Sequence, residues 1–226
     1  DDTVVNHEIL VLIGEQGLYK TTWFNFLLPP ELRCYFYTKT NSDRLNKDDL
    51  FSLTEFALIC FEELDGMRPA ELNQLKAMVT MPYVNERAAY GRNKERHPHI
   101  ASFCGTGNNV QFLTDPTGNR RWLPFEVSQI RDPYLHAIPY ELVYSQAYAL
   151  WKSGFCHWFS QEEIRKLNMH NSRFEVPNLE EDLIRTHFRK PFEGEAGIFV
   201  TAADILEQIS SCLRYPLSPN KIGRIM

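Results

Sequence analysis

Apolar residues run without a break from Ile9 to Ile13 and stop at Gly14. A five-residue apolar run closed by glycine predicts a buried strand followed by a turn. The segment from Thr22 to Leu28 has helical character and is stopped by Pro29-Pro30. Aromatics crowd into Arg33 to Lys39, which predicts a second strand. A polar stretch from Asn41 leads into a helix over Asp48 to Glu55. Phe56 to Phe61 is continuously apolar, as in a strand covered on both faces. Leu72, Leu75, Met78 and Val79 share one face of a helix over Pro69 to Val79, with Pro69 tolerated in its first turn. Ile100 to Cys104 and Trp122 to Val127 predict two more strands. Strands alternating with helices predict an α/β fold with a mostly parallel sheet flanked by helices.

From about Pro139 the pattern changes to amphipathic helices over Tyr140–Trp151, Ser160–Asn171 and Leu179–Phe188. Ser160 with Glu163 forms a capping-box signature. The stretch from Ile198 onward resembles the start of a winged helix, with Thr201 and Ser218 as caps. The expected organisation is therefore a core over 1–130, a helical region over 131–195 and a partial winged-helix-like segment over 196–226. Residue 1 falls only a few residues before the first strand, and Met226 falls inside an unfinished helical unit. Both ends read as cut from a longer chain.

The turn after the first strand carries the most specific chemistry. Gly14-Glu15-Gln16-Gly17-Leu18-Tyr19-Lys20-Thr21-Thr22 follows a strand and opens a helix, the setting of a phosphate-binding loop. Backbone N–H groups from Gly14 to Thr22 and the positive end of the helix would face an anion. Lys20 would reach the β- and γ-phosphates of ATP, and Thr21 would offer its hydroxyl to Mg²⁺. The pattern G-x-x-x-x-G-K-[ST] wants glycine at residue 19, where this chain has Tyr19. A tyrosine there is costly if φ is positive, and Gly17 is expected to supply the flexibility instead.

Two further clusters are expected at the same edge, and two more lie elsewhere in the sequence. Glu62 and Glu63 end the Phe56–Phe61 strand, and ligands of parallel sheets bind outside the carboxyl ends of strands. Glu62 would join the Mg²⁺ shell and Glu63 would polarise an attacking water. Gly105-Thr106-Gly107-Asn108-Asn109 follows another strand, where an amide could orient that water. Arg120 and Arg121 precede a strand and could meet a γ-phosphate, often across a subunit boundary. Arg87, Arg92, Lys94 and Arg96 interleave with Tyr83 and Tyr90, a mixture suited to phosphates and stacked bases. His97, His99 and Cys104 lack zinc-site spacing.

The 226 residues carry a formal net charge of −5, which excludes a uniformly basic nucleic-acid coat but leaves room for a local basic patch. No apolar run is long enough to span a bilayer, and no signal-peptide pattern opens the chain. Five scattered cysteines, Cys34, Cys60, Cys104, Cys156 and Cys212, are expected to be reduced core thiols, as in a cytoplasmic protein.

Taken in order, Gly14–Thr22, Phe56–Asp65, Gly105–Asn109 and Thr114–Trp122 resemble the virulence-associated protein E family. The most specific stretch combines Glu63-Leu64-Asp65, Tyr90-Gly91-Arg92 and Asp115-Pro-Thr-Gly-Asn-Arg-Arg121. The resemblance covers residues 8–127 well and the helical remainder loosely. It implies a P-loop ATPase of phage or mobile elements, similar to superfamily-III helicases and the wider AAA+ class. Lys20 and Thr21 would then be Walker A, Glu62 and Glu63 Walker B, and Asn108 the sensor. Arg120 or Arg121 would be the arginine finger, and Arg87 to Arg96 the DNA-contacting hairpin. The implied partners are DNA, most simply single-stranded, further copies of the chain in a ring, and a primase partner or fused domain. Two other readings stay open: a degenerate nucleotide- or DNA-binding regulator, and a P-loop phosphotransferase.

Overall fold

A computed structural model describes residues 5–40, 46–87, 92–114, 119–177, 179–192, 194–210 and 222–223. Contacts divide the chain into two compact units, the first ending at Val176 and the second beginning at Pro177.

Five strands of the first unit form one parallel sheet: β1 (Ile9–Ile13), β2 (Phe36–Lys39), β3 (Leu58–Phe61), β6 (Ser102–Gly107) and β7 (Trp122–Glu126). Their order across the sheet is β2-β3-β6-β1-β7, and every neighbouring pair is parallel. The chain thus leaves β1 for the far edge, returns through β3 and β6, and then passes β1 to add β7. Because all five strands run one way, Ile13, Lys39, Phe61, Gly107 and Glu126 end at one edge. That edge is where parallel sheets hold ligands.

The core explains the continuous apolar runs. Ile9, Val11 and Ile13 are fully buried, as are Leu53, Leu64 and Trp122, and together they form the main cluster. The alternate residues of the sheet meet α1 (Lys20–Leu27), where Phe24 packs with Leu12, Cys60 and Cys104. β3 and β6 are therefore covered on both faces. Cys60 and Cys104 stand opposite each other in register, and burial pushes the Cys104 thiol well up. The expectation of core thiols fails for Cys34 and Cys156, which are exposed. Cys34 lies in a 3-10 turn over Pro30–Tyr35, and Cys156 in the loop after a surface helix. Cys212 lies outside the described residues.

That 3-10 turn is also a correction to the second strand, which begins at Phe36 rather than Arg33. Pro30 at its first position sets a helical φ and starts the turn. α2 (Lys47–Glu55) opens with a reciprocal capping box between Asn46 and Asp49, and α3 (Pro69–Val79) follows the predicted range. Asp49 also lies 2.8 Å from the Lys39 ammonium, with both side chains at most 7% exposed.

Between α3 and β6 an antiparallel hairpin, β4 (Tyr83–Glu86) and β5 (Glu95–Pro98), forms a separate two-stranded sheet. Behind β7, α4 (Tyr140–Lys152) buries none of its residues, although its apolar positions are numerous. It is tied to α1 by hydroxyls: Tyr140 donates to the Phe26 carbonyl at 2.7 Å and Tyr144 to the Leu27 carbonyl at 2.9 Å. These carbonyls close the last turn of α1, where no intrahelical donor remains.

The expected boundary at 130 does not separate the helices that follow from the sheet. α5 (Gln161–Asn171), capped by Ser160 and Glu163 as predicted, packs against β7 and the turn before it. Leu113 bridges to Glu175, and Phe112 N–H donates to the Phe174 carbonyl. Buried Phe174 belongs to the main core, so the first unit continues to Val176. Polar links to backbone carbonyls, which leave no apolar period, hold this segment in place.

In the second unit, α6 (Leu179–His187) and α7 (Ala202–Ile209) contribute Leu183, Ile184, Ile205 and Ile209 to a small core of their own. Thr201 caps α7 through a capping box with Asp204. The expected cap at Ser218 lies outside the described residues. No described helix is long and apolar enough to cross a membrane.

Candidate functional site

The loop from β1 to α1 lies at the carboxyl edge of the sheet. Gly14 must be glycine: its N–H donates to the Gly107 carbonyl, and a Cβ would stand 2.3 Å from the Val127 carbonyl oxygen. Gly17 has φ 87° and Tyr19 has φ 60°, both left-handed. The positive φ is thus required at residue 19 itself, and Gly17 does not take it over. Among the described residues only Tyr19 and Glu63 are non-glycine residues with positive φ, and both line the same cleft. Strained backbone of this kind persists where surrounding structure holds it, often at functional sites. Tyr19→Gly should therefore stabilise the protein by about 1 kcal/mol in denaturant titration.

Lys20 opens α1 and folds back over the loop. Its ammonium donates to the carbonyls of Gly14 and Glu15, each at 2.7 Å, and to Asn108 Oδ1 at 3.2 Å. Burial lowers its pKa, and the Asp65 carboxylate works in the opposite direction. Beside it, the Thr21 hydroxyl donates to Glu62 Oε1 at 2.7 Å. Two hydrogen bonds, Lys20 to Asn108 and Thr21 to Glu62, tie the neighbouring residues Lys20 and Thr21 to two other sequence segments. Gln16 to Thr22, with Glu62, Glu63, Thr106, Gly107 and Asn108, line a polar cleft of about 450 Å³. An ammonium, a hydroxyl, two carboxylates and a primary amide around one cleft can hold a polyanion together with a hard cation.

Asp65 was not singled out by sequence as a site residue. Its carboxylate accepts the backbone N–H groups of Asn108 and Asn109, both at 3.1 Å. It fixes the turn after β6 and places a negative charge near Lys20. The close approach of Asp65 depends on Gly107, where a Cβ would stand 3.1 Å from Asp65 Oδ1. Gly105 makes room for Leu64, whose Cδ1 a Cβ there would meet at 2.3 Å. Thr106, buried beside the cleft, was also missed. The available signal was the acidic spacing Glu62-Glu63-x-Asp65 set against Gly-x-Gly.

Arg120 and Arg121 are not brought to this cleft within the chain. They occupy a 3-10 turn, Asn119–Arg121, just before β7. Trp122 is in register with Ile9, so the turn lies at the amino edge, a strand length of roughly 16 Å from the cleft. Burial and then the neighbouring Arg120 pull the Arg121 pKa down, while Glu8 acts to raise it. The hairpin leads into the same amino edge through Ile100, whose N–H donates to the Leu53 carbonyl. Arg87, Arg92, Lys94 and Arg96 are all exposed on it. The Arg96 guanidinium lies 3.5 Å from the Tyr83 ring centroid, a cation–π contact across the strands. Tyr90 and the segment 115–118 lie outside the described residues. Among the described residues no group of three or more His, Cys, Asp and Glu is placed to hold a metal.

No curated protein matches the chain in sequence. Among solved structures it is similar to apo forms of the NrS-1 C-terminal region. One spanning residues 305–718 matches at 13% identity and TM-score 0.43, covering 74% of this chain and 35% of that one. An A form matches at 12% identity and TM-score 0.42, covering 75% and 34%. The chain thus spans about a third of the solved chains it matches. A family model described as the virulence-associated protein E-like domain matches residues 3–176, which closely coincides with the first compact unit. The chain belongs to the virulence-associated protein E-like family.

Proposed function

We propose that the first unit is a P-loop ATPase that acts on DNA in the replication of a phage or mobile element. The observation that carries this reading is the convergence of Lys20, Thr21, Glu62 and Asn108 on one cleft at the carboxyl edge. Loop backbone and the amino end of α1 would cradle the phosphates. A phosphate offers Lys20 a stronger, charge-assisted bond than the neutral carbonyls of Gly14 and Glu15, so ATP would draw the ammonium off the loop.

The Thr21 hydroxyl and Glu62 carboxylate, 2.7 Å apart, are two hard oxygens suited to Mg²⁺, with the remaining positions left to phosphate oxygens and water. When bound, Mg²⁺ would neutralise charge developing on the phosphates. Glu63 would orient and deprotonate the attacking water, and Asn108 would hold that water or the γ-phosphate. Arg120 or Arg121, on the opposite edge, would serve the cleft of a neighbouring copy, which implies an oligomer and admits a ring. The basic hairpin would contact single-stranded DNA, and a primase would act beside the ATPase. The winged-helix reading of 196–226 would add a second nucleic-acid surface.

The test is steady-state Mg-ATP hydrolysis with and without single-stranded DNA. DNA should stimulate turnover, and Lys94→Ala with Arg96→Ala should flatten the salt dependence of DNA binding by about one logarithmic unit per lost phosphate contact. Turnover indifferent to DNA would sink the motor. A second reading, a nucleotide-binding regulator with little turnover, draws on Tyr19 in its strained place beside Lys20. ATP binding without hydrolysis, with or without DNA, would select it.

A further inference from the structure

The two arginines before β7 hang from a buried amide. Asn171, the last residue of α5, is 0% exposed. Its side-chain NH₂ donates to the Asn119 carbonyl at 2.8 Å and to the Trp122 carbonyl at 2.9 Å. These two carbonyls bracket Arg120 and Arg121, so a single side chain holds both ends of the turn that carries them. Two carbonyl acceptors also fix which way the amide points.

Neighbouring bonds tighten the same clamp. Asn119 donates to Glu175 Oε1 at 2.7 Å, and His170 Nε2 bonds the Pro124 carbonyl at 2.8 Å. At the other end of α5, Ile164 lines a small cavity shared with Glu8, Arg120, Arg121 and Trp158. α5 therefore meets the arginines through its side and their backbone through its end.

We infer that Asn171 is a positioning residue that aims the Arg120–Arg121 turn. This rests on the proposed role of one of these arginines as the guanidinium that meets a phosphate. Asn171 touches no substrate; it fixes the backbone from which the guanidinium extends. Arginine is effective only when its planar fork is held in the right direction, and small misplacements of a catalytic group are costly.

The test compares kcat and KM for Mg-ATP in wild type, Asn171→Ala, Arg120→Ala, Arg121→Ala and the doubles of Asn171→Ala with each arginine variant. Asn171→Ala should lower kcat roughly tenfold. Its KM should stay within about twofold, because ground-state ATP binding is left to the other edge. The double with the functional arginine should be no slower than that arginine variant alone, since the clamp has nothing left to aim. Losses that multiply, an unchanged kcat, or a KM effect alone would each overturn the inference. If both arginine variants keep wild-type kcat while Lys20→Ala does not, the arginine role itself fails and the inference falls with it, leaving the ATPase reading intact. Should Asn171→Ala not fold, Asn119→Ala, which removes only the bond to Glu175, carries the same expectation with a smaller loss.

Discussion

Lys20→Ala is expected to lower kcat for Mg-ATP hydrolysis by roughly 10²–10³-fold, the usual effect of removing one preorganised donor from a transition state. The fold should survive the change. In the structure described here the ammonium bonds the Gly14 and Glu15 carbonyls and the Asn108 amide at the rim of a polar cleft. Water can replace it at those acceptors once the side chain is gone. Thermal unfolding of the variant should therefore stay within a few degrees of wild type, while turnover collapses. A fall in turnover matched by a comparable fall in stability would assign Lys20 a structural role and remove the main support for the ATPase reading. Nucleotide binding measured by calorimetry separates the two further. Loss of affinity together with kcat would place the lysine on the phosphates in ground and transition states alike.

Asp49→Ala should destabilise the first unit by about 3–5 kcal/mol, because it removes a carboxylate from a nearly dry ion pair. The 2.8 Å contact to Lys39 has at most 7% exposure on either side, so solvent offers little compensation. The same carboxylate accepts the Asn46 N–H and so caps α2. For a unit of this size the midpoint of thermal unfolding should drop by roughly 10 °C. The effect reaches the cleft, since the Lys39 carbonyl accepts the N–H of Glu62. Asp49→Asn, which keeps an oxygen for the cap and deletes the charge, should cost less. Equal losses in the two variants would show that the lost charge accounts for the whole effect and the helix cap for none of it.

Much of the fold was legible because its strands are covered on both faces, which writes them into the sequence as unbroken apolar runs. β1, β3, β6 and β7 each appear within three residues of a predicted run. α3 and α5 were legible from their spacing and caps. β2 was misplaced at its start because Tyr35, the last residue of the Pro30–Tyr35 turn, runs straight into the aromatics Phe36 and Tyr37 of the strand. α4 was legible as a helix, but its spacing did not foretell a surface position with no buried residue. The membership of 160–176 in the first unit was not legible. It depends on Asn171, His170 and Glu175 reaching groups some fifty residues away.

For the site, sequence alone determined the local chemistry: a strand, a glycine turn, a lysine with a hydroxyl neighbour, and a second strand ending in two carboxylates. Those are short-range features, fixed by residue type and spacing. Tertiary structure decided which of them meet. Parallel strand order places Lys20, Thr21, Glu62 and Asn108 at one edge, and the same order sends Arg120, Arg121 and the base of the hairpin to the other. It also revealed Asp65, whose role lies in two backbone N–H groups more than forty residues distant. Nothing in a linear pattern records a side chain whose partners are main-chain atoms, because every residue there offers the same N–H and C=O. Only the folded register decides which of them a carboxylate or an amide will find.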